Sequence, residues 1–391
     1  MKILHTSDWH LGHILYNESQ EDSHQSMLSQ ITDIIINQQP DVLIISGDVY
    51  DTTQPSASIQ QLFANAIVKM HEACKEMTIV CIAGNHDSGS KHMIFHTPWK
   101  ALNVHMVGSI TKDSNLDDYI IPVNGKGFVV AVPFAVERYM PDDVFRKLSD
   151  MVAKRNPDDL PVVLSCHLAV LTSDWRGHDH SSDTNIGGLN CQDLSVFGDD
   201  YDYIALGHIH KQQQLDREGH VWYSGTPIAI SFDEVYAGNQ HGVLLAECKK
   251  HKEPVSVKSL TIDNPHPLVN LPFEGFAAWN DVKAMLEKYD DTITSFIRLN
   301  VEVDDYLQVG AYDEAQQIIE DKNCRLCIIN SKRKEASEQK DKVTMLTTTQ
   351  LKQADFVDVA KMYIESRGEV FDDEMKLMLQ EVKEMLNANE E

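Results

Sequence analysis

The chain of 391 residues has no apolar stretch that approaches the roughly 20 residues a membrane-spanning helix needs. Met1-Lys2-Ile3-Leu4-His5 runs straight into strand-like sequence without the apolar core and cleavage site of a secretory signal, so the expectation is a cytoplasmic protein with no membrane contact. Cysteine is sparse and odd in number, seven in all, and most lie inside apolar runs, as Cys81 and Cys166 do. That argues against a disulfide framework and predicts reduced, buried thiols. Cys324-Arg-Leu-Cys327 has CxxC spacing, but no second pair lies near it and it falls in a strand-like run, which favours a structural role over a metal site. Basic residues are short as well: 34 Lys and Arg stand against 60 Asp and Glu, for a formal net charge of −26. Such a chain does not coat nucleic acid by charge alone. A phosphate-bearing substrate has to be drawn by bound cations, by local basic patches or by a partner.

What is present is a globular composition, 42% hydrophobic and 24% charged. The length exceeds what one core usually serves, which predicts one large domain and one or two small ones. Eighteen histidines are many for this length and need explaining first.

The chain is organised around Ile44–Asp51. Val42-Leu43-Ile44-Ile45 is too short and too apolar for a surface helix and suits a strand buried on both faces. Gly47 then lets the backbone turn and delivers Asp48 at the strand's exit, where open α/β sheets keep their chemistry. A single Gly-Asp often only closes a turn, but four other apolar runs end in the same way. Lys2–Thr6 exits into Ser7-Asp8-Trp9-His10, and in an extended segment Asp8 and His10 would leave on one side. Thr78–Ala83 exits into Gly84-Asn85-His86-Asp87; a turn needs the Gly or Asn but has no need of the His. Pro161–Cys166 ends in His167, and Tyr203–Leu206 ends in Gly207-His208-Ile209-His210, a strong metal signal.

Helices are predicted over Asn17–Gln39, Pro55–Lys75 and Val144–Lys154, and further strands over Phe128–Val132, Val221–Ser224, Gly242–Cys248 and Val255–Ile262. The polar stretch from Ser173 to Gly188 reads as a surface loop, so its His178 and His180 suit substrate contact or solvation better than metal. Pro265, Pro267 and Pro272 mark a boundary. Beyond it the pattern predicts a helix over Ala278–Lys288, a strand over Ser295–Val303, a helix over Tyr312–Lys322 and a strand over Arg325–Asn330, and then a charged tether over Ser331–Lys342. Two amphipathic helices follow, one carrying Phe356, Val357, Ala360 and Ile364, the other Met375, Met378, Leu379, Val382, Met385 and Leu386. They cannot bury both stripes alone, so they fold back or dock on another chain.

Together the exits supply Asp8, His10, Asp48, Asn85, His86, His167, His208 and His210. Carboxylate, imidazole and amide donors without thiolate suit Mn²⁺, Fe²⁺ or Zn²⁺. One central carboxylate, naturally Asp48, can bridge two ions about 3.5–4 Å apart, the clamp used in phosphoryl transfer.

The blocks D-x-H, G-D, G-N-H-D, a lone H and G-H-x-H, present here in order, resemble the calcineurin-like metallophosphoesterases. The stretches Ile3–Gly12, Ala83–Ser88, Tyr203–His210 and Ser231-Phe232-Asp233-Glu234 are similar to the nuclease subunits of the SbcCD type. The resemblance implies a two-sheet metallophosphoesterase sandwich flanked by helices (1–263), a small α/β capping domain (264–335) and a C-terminal helical segment (336–391) that docks an SbcC-like ATPase. In that last segment Phe356, Ile364, Met375, Leu379, Val382 and Leu386 are the expected contacts. It further implies DNA as substrate, two divalent ions, most simply Mn²⁺, and a homodimer within a heterotetramer. One ion would be held by Asp8, His10, Asp48 and His210, the other by Asp48, Asn85, His167 and His208, leaving His86 free to serve the leaving 3′ oxygen. Asp51 stands where some relatives carry histidine and is given no catalytic role. Protein phosphatases of the superfamily carry an arginine soon after the bridging aspartate; Val49-Tyr50-Asp51-Thr52-Thr53 has none, which favours a diester over the competing phosphatase reading. A silent scaffold is disfavoured, because so many unpaired acids and imidazoles packed together are costly without metal.

Overall fold

The computed structural model describes residues 1–94, 96–177, 191–290, 292–334 and 375. Contacts divide the chain into Met1–Arg333 and Lys334–Glu391. In the second unit Met375 is helical and exposed, while Phe356, Ile364, Leu379, Val382 and Leu386 lie outside the described residues, as do His178 and His180.

Period-two burial builds the core of the first unit. Along Val42–Ser46, Ile44 joins one cluster while Leu43 and Ile45 join another, and along Thr78–Ile82 the residues Val80 and Ile82 part in the same way from Ile79 and Cys81. The first cluster lies between two six-stranded sheets. One runs Ser256–Thr261, Gly242–Glu247, Lys2–Thr6, Val42–Ser46, Thr78–Ile82, Val104–Val107; the other runs Gln213–Gln214, Val221–Tyr223, Tyr203–Gly207, Val162–His167, Gly127–Val132, Ile120–Val123. The second cluster fills the opposite face of the first sheet against Met27, Ile31 and Ile35 of the Glu21–Gln38 helix and Phe63, Ile67 and Met70 of the Ala57–Ala73 helix. The latter helix begins where Ser56 Oγ accepts from the Ile59 N–H. The architecture is the expected sandwich of two sheets with flanking helices.

The Glu21–Gln38 helix starts later than its periodicity suggests. Tyr16 and Asn17 both have positive φ and turn a small Ile14–Leu15/Glu18–Ser19 hairpin, so Asn17 is a turn residue. A second correction concerns Ser331–Arg333, expected in a tether. They extend the strand Cys324–Arg333 and pair with Val301–Val303. Exposed charged side chains on an edge strand hide the ladder its backbone makes.

That strand belongs to a four-stranded sheet with Leu268–Leu271, Ala277–Ala278 and Ser295–Val303. With the Trp279–Glu287 and Ala311–Ile319 helices it encloses its own core, Trp279, Val282, Leu286, Ile297, Leu299, Val301, Ala315 and Ile319 among others. A smaller cluster of Leu15, Ala229, Phe232, Leu268 and Phe296 joins it to the sandwich. No helix among the described residues is long and apolar enough to cross a membrane.

Candidate metal centre

Parallel registry aligns the strand ends. Thr6 pairs with Ile45, Ser46 with Ile82, and in the other sheet Gly207 with His167. Ser46 locks the sheets together at this edge: its Oγ donates to the Ala205 carbonyl at 2.9 Å, and its own carbonyl accepts from His167 Nδ1 at 2.8 Å. With Nδ1 so engaged, His167 turns Nε2 inward. The exits of all five strands therefore meet at one place.

The backbone there is unusual. Asp8, His10, Asp48 and His208 all have positive φ (53°, 45°, 49° and 104°), a region non-glycine residues enter at a cost and keep only where the surroundings enforce it. This corrects the extended geometry expected of Asp8 and His10: the chain coils after Thr6, and the two side chains converge through left-handed turns. The turns are interlocked, with Asp8 N–H donating to the Gly47 carbonyl at 2.9 Å and His10 N–H to the Asp48 carbonyl at 3.0 Å. Two glycines make room. A Cβ on Gly47 (φ +94°) would lie 2.3 Å from His167 Nδ1, and one on Gly84 would lie 2.1 Å from Asp48 Oδ1.

Two groups of donor atoms result, each within 4.8 Å internally: Asp8, His10 and His210 in one, Asp48, His167 and His208 in the other. Asn85 Oδ1 belongs beside the second, 2.9 Å from His167 Nε2 and 3.0 Å from His208 Nδ1. Asp48 faces both, its Oδ2 lying 3.3 Å from His167 Nε2 and 3.9 Å from His10 Nε2, while its Oδ1 accepts from the His86 N–H at 2.8 Å. The His86 ring packs edge-on against His10, centroids 4.9 Å apart, and falls in neither donor group. A third cluster, Asp216, Glu218 and His220, is more exposed, and Asp216 there caps its own turn through the N–H groups of Glu218 and Val221.

The electrostatics are those of charges held in a dry place. Burial opposes a charge on His10, yet the Asp51 carboxylate, 3.4 Å from Nδ1, and the charges of Asp48 and Asp8 outweigh it and raise His10 to about 9. Burial likewise opposes a charge on His167, and Asp48 by charge and hydrogen bond raises it to about 9. Burial would lift Asp48, but the imidazoles of His167, His10 and His86 hold it well below the usual carboxylate range. His210 is pushed down to about 3, first by burial and then by His10. Both ring nitrogens of His10 are buried without a hydrogen bond of good geometry, the kind of orphan that a cation satisfies.

Three bracing residues escaped the sequence. Asp87 Oδ2 accepts from the N–H groups of Val49 and Gly84 and Oδ1 from that of Tyr50, tying the two exit turns together. The Asp51 carboxylate lies 3.0 Å from His13 Nδ1 and 3.4 Å from His10 Nδ1. Buried Glu234 Oε1 accepts from His210 Nδ1 at 3.0 Å. Asp87 and Glu234 close the Gly84–Asp87 and Ser231–Glu234 blocks, so the signal was their place in a motif.

A sequence model of the calcineurin-like phosphoesterase family matches residues 1–212, the span that holds every one of these strand exits. The chain belongs to that family. As a calcineurin-like phosphoesterase, it carries a metal-dependent centre for phosphoester hydrolysis. Among curated relatives, the chain is similar to the SbcD subunit of the nuclease SbcCD from Rhodobacter capsulatus, 28% identical over 74% of this chain and 76% of that one. The SbcD protein of Escherichia coli K12 is 29% identical over 78% of this chain and 79% of its own. A solved dimetal phosphatase from Danio rerio aligns more loosely, 11% identical over 67% of this chain and 99% of its own with a TM-score of 0.39.

Proposed function

We propose that this calcineurin-like phosphoesterase is a Mn²⁺-dependent DNA nuclease subunit, a 3′–5′ exonuclease on duplex ends and an endonuclease on single strands and hairpins. It works in the cytoplasm with an SbcC-like ATPase in repair and recombination. The observation that carries the reading is Asp48 standing between two donor groups. Asp8, His10, Asp48 and His210 would hold one cation, and Asp48, Asn85, His167 and His208 the other; oxygen and nitrogen donors without thiolate suit Mn²⁺. Bound there, a pair of divalent ions supplies Lewis acidity, drawing in the charge of a phosphate and lowering the pKa of water toward neutrality.

The chain's own residues do the rest. His86 Nδ1 donates to the Asp51 carbonyl at 2.9 Å, which leaves Nε2 as the nitrogen that can hand a proton to the departing 3′ oxygen. Its N–H bond to Asp48 keeps that ring in step with the carboxylate between the two groups. Val49–Thr53 lacks the arginine that superfamily phosphatases place there to hold a monoester, which supports a diester substrate.

With a net charge of −26, the chain leaves much of the duplex grip to its partner. We assign 1–263 to the nuclease domain, 264–335 to a capping domain and 336–391 to docking on the ATPase, through Phe356, Ile364, Met375, Leu379, Val382 and Leu386. Degradation of end-labelled duplex DNA with Mn²⁺, with and without the ATPase and ATP, tests the proposal. Loss of label from 3′ ends, stimulated by partner and nucleotide, is expected; hydrolysis of monoesters with intact DNA would overturn it.

A further inference from the structure

A turn of the sandwich links the small domain to the donor groups. Phe232–Glu234 is a single 3₁₀ turn of the sandwich, opened by Ser231, whose Oγ accepts from the Asp233 N–H at 3.2 Å. Glu234, at its end, is 1% exposed. Its Oε1 accepts from His210 Nδ1 at 3.0 Å, and its Oε2 accepts from Thr226 Oγ1 at 2.9 Å and from the Ile230 N–H at 3.3 Å. The carboxylate is thereby fixed at both ends, and it holds His210 with Nε2 directed away from Glu234.

The turn is closed by its own backbone bonds, Glu234 N–H to the Ser231 carbonyl at 3.1 Å and Val235 N–H to the Phe232 carbonyl at 3.3 Å, and the small domain grips it as well. Asn270, on the Leu268–Leu271 strand of the small domain, donates through Nδ2 to the carbonyls of Phe232 (3.0 Å) and Val235 (3.2 Å). Arg298, on the neighbouring Ser295–Val303 strand, donates through Nε to Asn270 Oδ1 at 2.9 Å, through Nη1 to Asp233 Oδ1 at 2.6 Å and through Nη2 to the Phe232 carbonyl at 3.4 Å. Its guanidinium also lies over the Phe232 ring, 5.4 Å from the centroid. Two small-domain side chains thus grip the Phe232 carbonyl and the Asp233 carboxylate of the turn, and the Val235 carbonyl just after it, where the turn's last residue orients His210.

We propose that Asn270 and Arg298 are positioning residues for the Asp8, His10 and His210 cation group, acting through the Phe232–Glu234 turn and the Glu234–His210 hydrogen bond. The inference rests on the proposed metal-centre reading. Groups that hold the far nitrogen of a ligating imidazole typically change metal affinity about 10–100-fold. By linkage, the coupling runs both ways: seating of the small domain tightens one cation, and that cation steadies the seat.

Calorimetric titration of Mn²⁺ into the full chain tests this, with Arg298→Ala, Asn270→Ala, Glu234→Ala and the Arg298→Ala/Glu234→Ala double variant. Arg325→Ala is the control, because Arg325 pairs with Glu18 elsewhere on the same junction and does not touch the turn. Arg298→Ala and Asn270→Ala should weaken one of two Mn²⁺ affinities about tenfold and spare the other. The double variant should bind as Glu234→Ala alone does, since both changes cut one path. Arg325→Ala should bind as wild type. Two normal sites in Arg298→Ala and Asn270→Ala, multiplying losses in the double variant, or an equal loss in Arg325→Ala would overturn the coupling while leaving the metal centre standing. A wild-type chain that binds no Mn²⁺ would remove the metal centre and the coupling with it.

Discussion

The main-chain oxygen of Asp51 accepts a hydrogen bond from His86 Nδ1 at 2.9 Å, while the carboxylate of the same residue lies 3.4 Å from His10 Nδ1. One residue therefore braces a proposed proton donor with its backbone and a proposed cation ligand with its side chain. The two functions are separable by mutation. His86→Ala should leave Mn²⁺ binding unchanged and lower turnover about 10²–10⁴-fold, the usual contribution of general acid–base catalysis. Asp51→Ala keeps the carbonyl and should instead weaken Mn²⁺ about tenfold with a smaller effect on turnover at saturating metal. Calorimetry beside steady-state cleavage separates them; loss of metal in His86→Ala would contradict the assignment.

A pH dependence follows from His10 and His167, both raised to about 9 from the ordinary 6.5 in the absence of metal. Between those values the folded chain binds more protons than the unfolded one, so stability falls as pH rises. Their contribution is fully present below about 6.5 and lost as pH passes about 9. Cations compete for the same nitrogens, so Mn²⁺ affinity should rise across this window, with release of up to about two protons. Melting of chelator-treated protein from pH 6.5 to 9, with calorimetry in buffers of different ionisation enthalpy, checks both signs. A melting temperature that climbs with pH in metal-free protein would refute the pairing.

Gly47 takes a conformation, and sits in a space, that no other residue can occupy without strain. With φ at +94° and a Cβ meeting His167 Nδ1 at 2.3 Å, Gly47→Ala must move the turn or the imidazole. The expected cost is about 1–3 kcal/mol, seen as a lower melting temperature together with weaker Mn²⁺ binding. Unchanged binding in a folded Gly47→Ala variant would mean that the exit turn does not set the centre.

Much of this was legible in the sequence, and the reasons differ by element. Strands such as Val42–Ser46 and Thr78–Ile82 are buried on both faces, so they appear as unbroken apolar runs whose ends are unmistakable. The clustering of Asp8, Asp48, His167 and His210 followed from those ends. The left-handed turns of Asp8 and His10 were not legible, because Asp and His tolerate positive φ without announcing it. Nor were the braces: Asp87 reaches Val49 across 38 positions and Glu234 reaches His210 across 24, contacts that only the assembled fold creates. Strand pairing of Ser331–Arg333 was hidden by exposed charge for a related reason, since the ladder depends on a partner strand about thirty residues away.

The proposed docking role of the C-terminal segment has its own test. Removing residues 341–391 should leave Mn²⁺-dependent cleavage of short substrates intact while abolishing co-purification with the ATPase. A truncated chain that still retains the partner would place docking elsewhere.

The most direct test of the central claim is anomalous diffraction from crystals soaked in Mn²⁺. Two peaks about 3.5–4 Å apart are expected, one on each side of the Asp48 carboxylate. A single peak, or two that do not share Asp48, would contradict it.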